Sequence, residues 1–151
     1  MNMNRKIVIE IICFLFILLF VYAAMNKILD FQKFKIQIGQ SPLLTGFGEF
    51  LPVLVISIEV GVSALLAIPS FRLAGLVAAF SLMTMFTAYI VAILNFSSYV
   101  PCSCGGVLEH FGWTEHLYFN SAFVLLGLVG IFLESAERNF RYNMATYPSG
   151  S

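Results

Sequence analysis

Four long apolar runs dominate the pattern of hydrophobic and polar positions along the chain. Each contains 17–22 residues, and together they cover more than half of the sequence: Ile7–Met25, Phe50–Pro69, Leu73–Leu94 and Leu117–Leu133. An α-helix needs about 20 mostly apolar residues to cross the roughly 30 Å hydrocarbon layer of a membrane. The pattern therefore predicts an all-α membrane protein, built as a bundle of four transmembrane helices.

The segment between the first two runs has a weaker pattern of its own. Ile28, Phe31, Phe34 and Ile38 fall near helical spacing, and polar residues occupy the positions between them. This pattern predicts a short helix that lies in the membrane interface and ends near Gly39. A partly ordered loop with scattered apolar residues is the alternative.

Composition favours a single membrane domain. The 151 residues are 60% hydrophobic and only 11% charged, which is outside the range of soluble domains. Eight basic and eight acidic side chains cancel, and no basic stripe with interleaved aromatic residues indicates a nucleic-acid partner. We interpret residues 1–146 as one four-helix domain in the lipid bilayer and residues 147–151 as a disordered tail.

The first apolar run admits a second interpretation, a cleaved secretory signal peptide. Arg5 and Lys6 form a basic start, and Val21-Tyr22-Ala23 resembles a cleavage site of small residues. The run is longer than the usual core of such peptides, which is about 7–15 residues, and more membrane protein follows it. A retained transmembrane helix is therefore favoured.

The distribution of Lys and Arg predicts the orientation of the bundle. With the N-terminus in the cytoplasm, five basic residues lie inside (Arg5, Lys6, Arg72, Arg138 and Arg141) and three lie outside (Lys27, Lys33 and Lys35). The loop of residues 95–116 contains no Lys or Arg. We expect a multi-pass membrane protein with both termini in the cytoplasm and this loop on the outer, oxidising side.

That loop holds the strongest candidate for chemistry, Pro101-Cys102-Ser103-Cys104-Gly105-Gly106. Two cysteines one residue apart can close a small, strained disulfide ring, which is readily exchanged. A static disulfide or two free thiols is the alternative. A metal site is the third: Cys102, Cys104, His110 and His116 are donors suited to zinc or copper(I), although their spacing matches no standard zinc module.

Two polar groups lie within the predicted helices. Cys13 is about 18 Å from the outer end of the first helix, too far to meet the loop cysteines, and we expect a small buried side chain. Glu59 lies near the middle of the second helix, where a charge is costly. No Lys or Arg is expected at that depth, so Thr84, Thr87 and Tyr89 are its candidate partners. A structural hydrogen bond and a proton relay or ligand site both remain open.

Other residues predict a polar pocket and close helix packing. Four polar residues fall near the outer helix ends and would form a pocket beneath the cysteine loop if they gathered: Asn26, Lys27, Asn95 and Asn120. Small residues that allow helices to approach closely occur in the second and fourth runs, at Ser57, Gly61, Gly127 and Gly130.

Taken together, these motifs resemble the MauE/DoxX-like family of small bacterial inner-membrane proteins, and in particular its cysteine-bearing MauE branch. The resemblance covers nearly the whole chain and is carried by Asn26-Lys27, Leu51-Pro52 with Glu59 and Gly61, Val100-Pro101-Cys102-Ser103-Cys104-Gly105-Gly106, and Gly112-Trp113-Thr114-Glu115-His116-Leu117. It implies a redox role in the inner membrane. MauE proteins are implicated in maturation of methylamine dehydrogenase, a disulfide-rich periplasmic enzyme, and DoxX relatives are linked to membrane quinol oxidation.

The sequence hypothesis is thiol–disulfide exchange through Cys102 and Cys104, in support of a periplasmic or membrane protein partner. Supporting roles are assigned to Lys27, Glu59, His110, His116 and Asn120. A quinone is suggested as electron acceptor by analogy alone, and the chain lacks the second cysteine pair that quinone-coupled disulfide enzymes usually carry. The alternatives are a non-catalytic membrane subunit or assembly factor, and metal handling by the Cys/His loop.

Overall fold

The computed structural model describes residues 3–40, 46, 49–96 and 112–146. The described helices are α1 (Met3–Leu29), α2 (Phe31–Gln40), α3 (Leu51–Ala67), α4 (Arg72–Phe96) and α5 (Trp113–Thr146), with a short 3-10 turn (Pro69–Phe71) before α4. The all-α expectation is confirmed, and α1, α3, α4 and α5 each overlap one of the four apolar runs. The predicted tail, residues 147–151, lies outside the described residues.

The helices differ in how well they match the thickness of a membrane. Within the described ranges, α1, α4 with its preceding turn, and α5 are long and apolar enough to cross one, whereas α3 is a shorter apolar helix of 17 residues. At 1.5 Å per residue α3 is about 25 Å long. Large apolar side chains remain exposed on the helices, among them Phe14, Leu18, Leu125 and Phe132, which is the surface that a lipid bilayer covers.

The four longer helices pack as a bundle. α1 and α4 both pack against α3 and α5, and they also make a smaller contact with each other. In the core, the rings of Phe16 and Phe20 stack with centroids 5.9 Å apart, and Phe123 of α5 meets Phe16 edge-on at 5.3 Å. α1 therefore supplies a central part of the core of the described bundle, and its retention as a transmembrane helix stays a prediction.

A proline produces the tight connection between α3 and α4. The Pro69 ring disfavours helical backbone at the preceding residue, and Ile68 is accordingly extended, with φ −95° and ψ 114°. The chain then reverses through the 3-10 turn. Beyond it, a Cβ at Gly75 would lie 2.9 Å from the backbone nitrogen of Leu66, so only glycine allows α4 to approach α3 this closely.

The small residues of the fourth run pack as predicted, and those of the second do not. A Cβ at Gly127 would lie 3.3 Å from Phe16, and one at Gly130 would lie 3.0 Å from Leu76. A Cβ at Gly61 would meet no described atom within 4 Å. The expected close approach at Ser57 and Gly61 is therefore wrong, because this face of α3 is exposed.

α2 is the short helix predicted after the first run. Backbone hydrogen bonds of 3.0 Å from Asp30 N to Asn26 O and from Phe34 N to Asp30 O join it to α1 without an intervening loop. Phe34 and Ile38 are buried, and α2 packs against α3 and α1. Its placement in the membrane interface stays a prediction.

Candidate functional site

A buried ion pair links α1 to α3. The Lys27 Nζ atom donates to Glu59 Oε1 at 2.7 Å, with the Glu59 side chain completely buried and that of Lys27 only 15% exposed. Glu59 is eight residues into α3, about 12 Å from the first residue of that helix. A charge at this depth persists only when it is paired or faces a polar environment, and Lys27 supplies the opposite charge.

This pair corrects the prediction that no Lys or Arg lies at the depth of Glu59. α1 ends only two residues after Lys27, and the long aliphatic stem of lysine carries its ammonium group well away from its own backbone. The predicted threonine partners are used elsewhere. The hydroxyl of Thr84 donates to Phe80 O at 2.8 Å, and that of Thr87 donates to Met83 O at 2.7 Å.

The immediate surroundings of the pair are partly aromatic and partly polar. The ammonium group of Lys27 lies 5.7 Å from the centroid of the Phe34 ring, within the range of a cation–π interaction. Glu59 Oε2 and Asn26 Nδ2 are both buried and have no hydrogen-bond partner among the described residues. The pair thus uses one of the two carboxylate oxygens and leaves the other as a buried acceptor.

Two candidate residues of α5 lie toward the same end of the bundle. His116 is half-buried in the first turn of α5. Asn120 is only 4% exposed and lies one turn before Phe123, which contacts α1 at Phe16. Both were predicted as supporting residues, and the structure places them on the first two turns of α5, toward the C-terminal end of α1.

Asn95 does not belong to this polar group. Its side chain is exposed and donates to Val91 O in its own helix at 2.8 Å. Asn95 therefore does not line the predicted pocket, because it lies at an exposed position in the last turn of α4. Asn26 and Lys27 are adjacent on α1, and Glu59 is the partner of Lys27 that the sequence pattern did not assign.

The predicted reactive residues Cys102, Cys104 and His110 lie outside the described residues. The structure does describe the two positions from which their segment departs, Phe96 at the end of α4 and Gly112 before α5. α4 and α5 pack against each other along their length, and the start of α5 carries His116. The cysteine segment is thus attached at the same end of the bundle as Lys27.

The described ranges contain no group of three or more His, Cys, Asp and Glu side chains that could hold a metal ion. Of the four predicted metal ligands, His116 alone falls within those ranges. Cys13 is a free, buried thiol with 2% exposure. It precedes Lys27 by 14 residues, or about 21 Å along α1, so it is remote from this end.

The opposite end of the bundle carries buried carboxylates that sequence reasoning missed. Glu134 and Glu137 are 4% and 5% exposed. Arg138 contacts Glu134 at 3.2 Å and also donates to Ser70 O at 2.8 Å, which ties α5 to the connection between α3 and α4. Arg141 lies 3.7 Å from Glu137. The four-residue spacing of these acid–base pairs is the signal in the sequence that indicates them.

The fold and this distribution of charges define a multi-pass helical membrane protein with a buried ion pair at one end. The sequence pattern of the methylamine utilisation protein MauE family matches residues 5–133. The chain belongs to the MauE family, as the resemblance predicted, and is thereby associated with methylamine utilisation. Comparisons with curated proteins and with solved structures give no match.

Proposed function

We propose that this MauE-family protein carries out thiol–disulfide exchange through Cys102 and Cys104, in support of the maturation of a periplasmic or membrane partner. The observation that carries the proposal is the attachment of the C-x-C segment to the bundle end that holds Lys27. A thiolate is the attacking species in exchange, and nearby positive charge favours it. Within the described residues, Lys27 is the buried cation of that end.

The exchange itself requires no external oxidant. A thiolate of the reduced pair attacks one sulfur of the partner's disulfide, forming a mixed disulfide and releasing the other partner sulfur as a thiolate. The second cysteine then attacks the mixed disulfide, so that the pair is oxidised and the partner is reduced by the same two electrons. The reverse sequence oxidises the partner. A quinone, suggested by analogy, has no part in either step.

The proposal includes an orientation, with four membrane crossings, both termini in the cytoplasm and the cysteine segment in the periplasm. The contact between Arg138 and Ser70 brings the Arg72 turn and the end of α5 together, and this end also holds the N-terminal basic residues. Cytoplasmic placement of that end follows the positive-inside rule. Reporter fusions at the C-terminus test it, and a periplasmic C-terminus would place the cysteines in a reducing compartment.

The decisive experiment is trapping of mixed disulfides in cells with Cys102→Ser and Cys104→Ser variants, followed by identification of the attached protein. One of the two variants should accumulate a covalent adduct that a reductant cleaves. Cys13→Ser is the matched control, because this buried thiol lies about 21 Å along α1 from Lys27, and it should leave the trapping unchanged.

Titration of the purified wild-type protein against glutathione buffers supplies a second criterion. A pair that resists reduction below about −300 mV behaves as a structural disulfide. That result, together with a stoichiometric partner that still binds when both cysteines are serine, would replace exchange by a role as a membrane subunit or assembly factor. Elemental analysis of the same preparation tests the metal-handling alternative.

A further inference from the structure

We propose that Glu59 is a proton-binding site inside the membrane domain and that Lys27 is its releasable counter-ion. The site requires no cysteine, and it therefore stands independently of the exchange function. Its starting observation is the geometry of the pair, in which Lys27 engages only Oε1 and leaves Oε2 buried without a described partner.

The unused oxygen is what distinguishes this pair from a purely structural one. A buried acceptor that makes no hydrogen bond loses its water without compensation, and an ion pair held for stability normally satisfies its remaining lone pairs. A proton on Oε2 converts that acceptor into a hydroxyl group and removes the charge from the most deeply buried part of the site. Protonation therefore lowers the cost of burying this oxygen, because a neutral carboxyl group is less costly to remove from water than a carboxylate.

The side chain of Lys27 is free to move away from Glu59. Lys27 lies in the last turn of α1, is 15% exposed, and has a flexible stem that can extend toward the interface. The Phe34 ring, 5.7 Å from its ammonium group, attracts the cation whether or not Glu59 is charged. Glu59 has no comparable freedom, because its side chain is completely buried. Proton uptake by Glu59 and movement of Lys27 toward the interface thus form one exchange, in which the total charge rises by one.

Few other ionisable groups compete for this role. Glu59 is the only ionisable residue of α3, and the 3-10 turn contains none. α1 presents Lys27 to it, α2 contributes Lys33 and Lys35, and α4 contains only Tyr89 and the remote Arg72. At the start of α5, His116 is the half-buried ionisable residue. The other described carboxylates toward this end are exposed, namely Asp30, Glu49 and Glu115. Glu59 is the buried carboxylate among them, so proton binding at this site is assigned to it.

Infrared difference spectroscopy of the full-length protein in lipid tests the proposal. As the buffer is changed from alkaline to mildly acidic pH, the wild-type protein should gain a protonated-carboxyl band that Glu59→Gln removes. Lys27→Met should show the same band already at neutral pH, and the Lys27→Met/Glu59→Gln double variant should lack it. Glu134→Gln, which alters the buried carboxylate at the opposite end, is the matched control and should retain the band.

Labelling by a hydrophobic carbodiimide, which reacts with protonated carboxyl groups, gives a second readout by mass spectrometry. Glu59 should be modified faster in Lys27→Met than in the wild-type protein. The proposal is overturned if no band assignable to Glu59 appears in the wild-type protein across the pH range. Since this comparison uses only the wild-type protein and Glu59→Gln, it tests the proposal even if Lys27→Met fails to assemble.

Discussion

Separate removal of the two partners of the buried ion pair should destabilise the protein unequally. Lys27→Met keeps most of the aliphatic stem but leaves the fully buried Glu59 without a counter-ion. The carboxyl group must then take up a proton to stay buried. A glutamate in water is half-protonated near about pH 4.3 and each pH unit corresponds to about 1.36 kcal/mol, so neutralisation at pH 7 costs up to about 3.7 kcal/mol.

Glu59→Gln should cost less. It leaves the ammonium group of Lys27 unpaired, but this side chain is already partly exposed and lies near the end of α1, so the charge can reach the interface. Polar contacts between membrane helices average about 0.6 kcal/mol and reach about 1.7 kcal/mol. We expect a loss of about 1 kcal/mol for Glu59→Gln, against about 2–4 kcal/mol for Lys27→Met.

The two variants should also differ in their response to pH. In Lys27→Met the folded state holds a proton on Glu59 that the unfolded state lacks above about pH 4.3. Its free energy of unfolding therefore falls as the pH rises, by about 1.4 kcal/mol per unit. Glu59→Gln has no carboxyl group at this position. Its free energy of unfolding should therefore change with pH only through the other ionisable residues.

Reversible unfolding of purified protein in mixed micelles containing increasing SDS, followed by circular dichroism at several pH values, measures both effects. Lys35→Met is the matched control, since Lys35 is 3.6 Å from an almost fully exposed Glu49 and should change stability little. The reasoning that Glu59 is neutralised in place would be refuted by two results together. Lys27→Met and Glu59→Gln would lose the same free energy of unfolding, and the free energy of unfolding of Lys27→Met would not change with pH.

Further predictions concern packing, the buried thiol and the opposite end. Gly75→Ala should destabilise by about 1–3 kcal/mol through overpacking, whereas Gly61→Ala should stabilise by up to about 1 kcal/mol through helix propensity; the micelle unfolding assay measures both. Cys13 should resist maleimide in native membranes and react after SDS unfolding, and labelling of the native protein would contradict its burial. Arg138→Met should cost about 1–3 kcal/mol by leaving a buried carboxylate and a backbone carbonyl without their donor, while the exposed Arg141→Met should have a smaller effect.

The fold could be predicted from the sequence because each apolar run is close to the length of a membrane crossing. The pattern gave less information about where helices end. α5 extends to Thr146, well past the apolar run that ends at Leu133, because polar residues with helical preference and four-residue charge pairs continue it. At 34 residues it is about 51 Å long, a length that hydrophobicity alone does not indicate.

The sequence singled out Lys27 and Glu59 but did not predict the contact between them. Lys27, Glu59, His116 and Asn120 were all assigned supporting roles, yet the ion pair was missed. A sequence gives the depth of a residue only from the ends of its own helix, whereas pairing depends on how two helices are offset along their axes. The short α3 and the reach of a lysine side chain together bring Glu59 to the last turn of α1.

The structure also restricts how the cysteines can exchange. About 21 Å of α1 separates Cys13 from Lys27, and the core between them is filled by aromatic side chains such as Phe16 and Phe20. The thiol of Cys13 therefore cannot attack a disulfide at the end of the bundle that holds Lys27. If Cys102 and Cys104 exchange, they must meet their partner at their own end of the bundle, where the segment that carries them leaves α4 and returns to α5. A docked protein with an accessible cysteine pair fits that requirement, and it needs no electron path through the membrane.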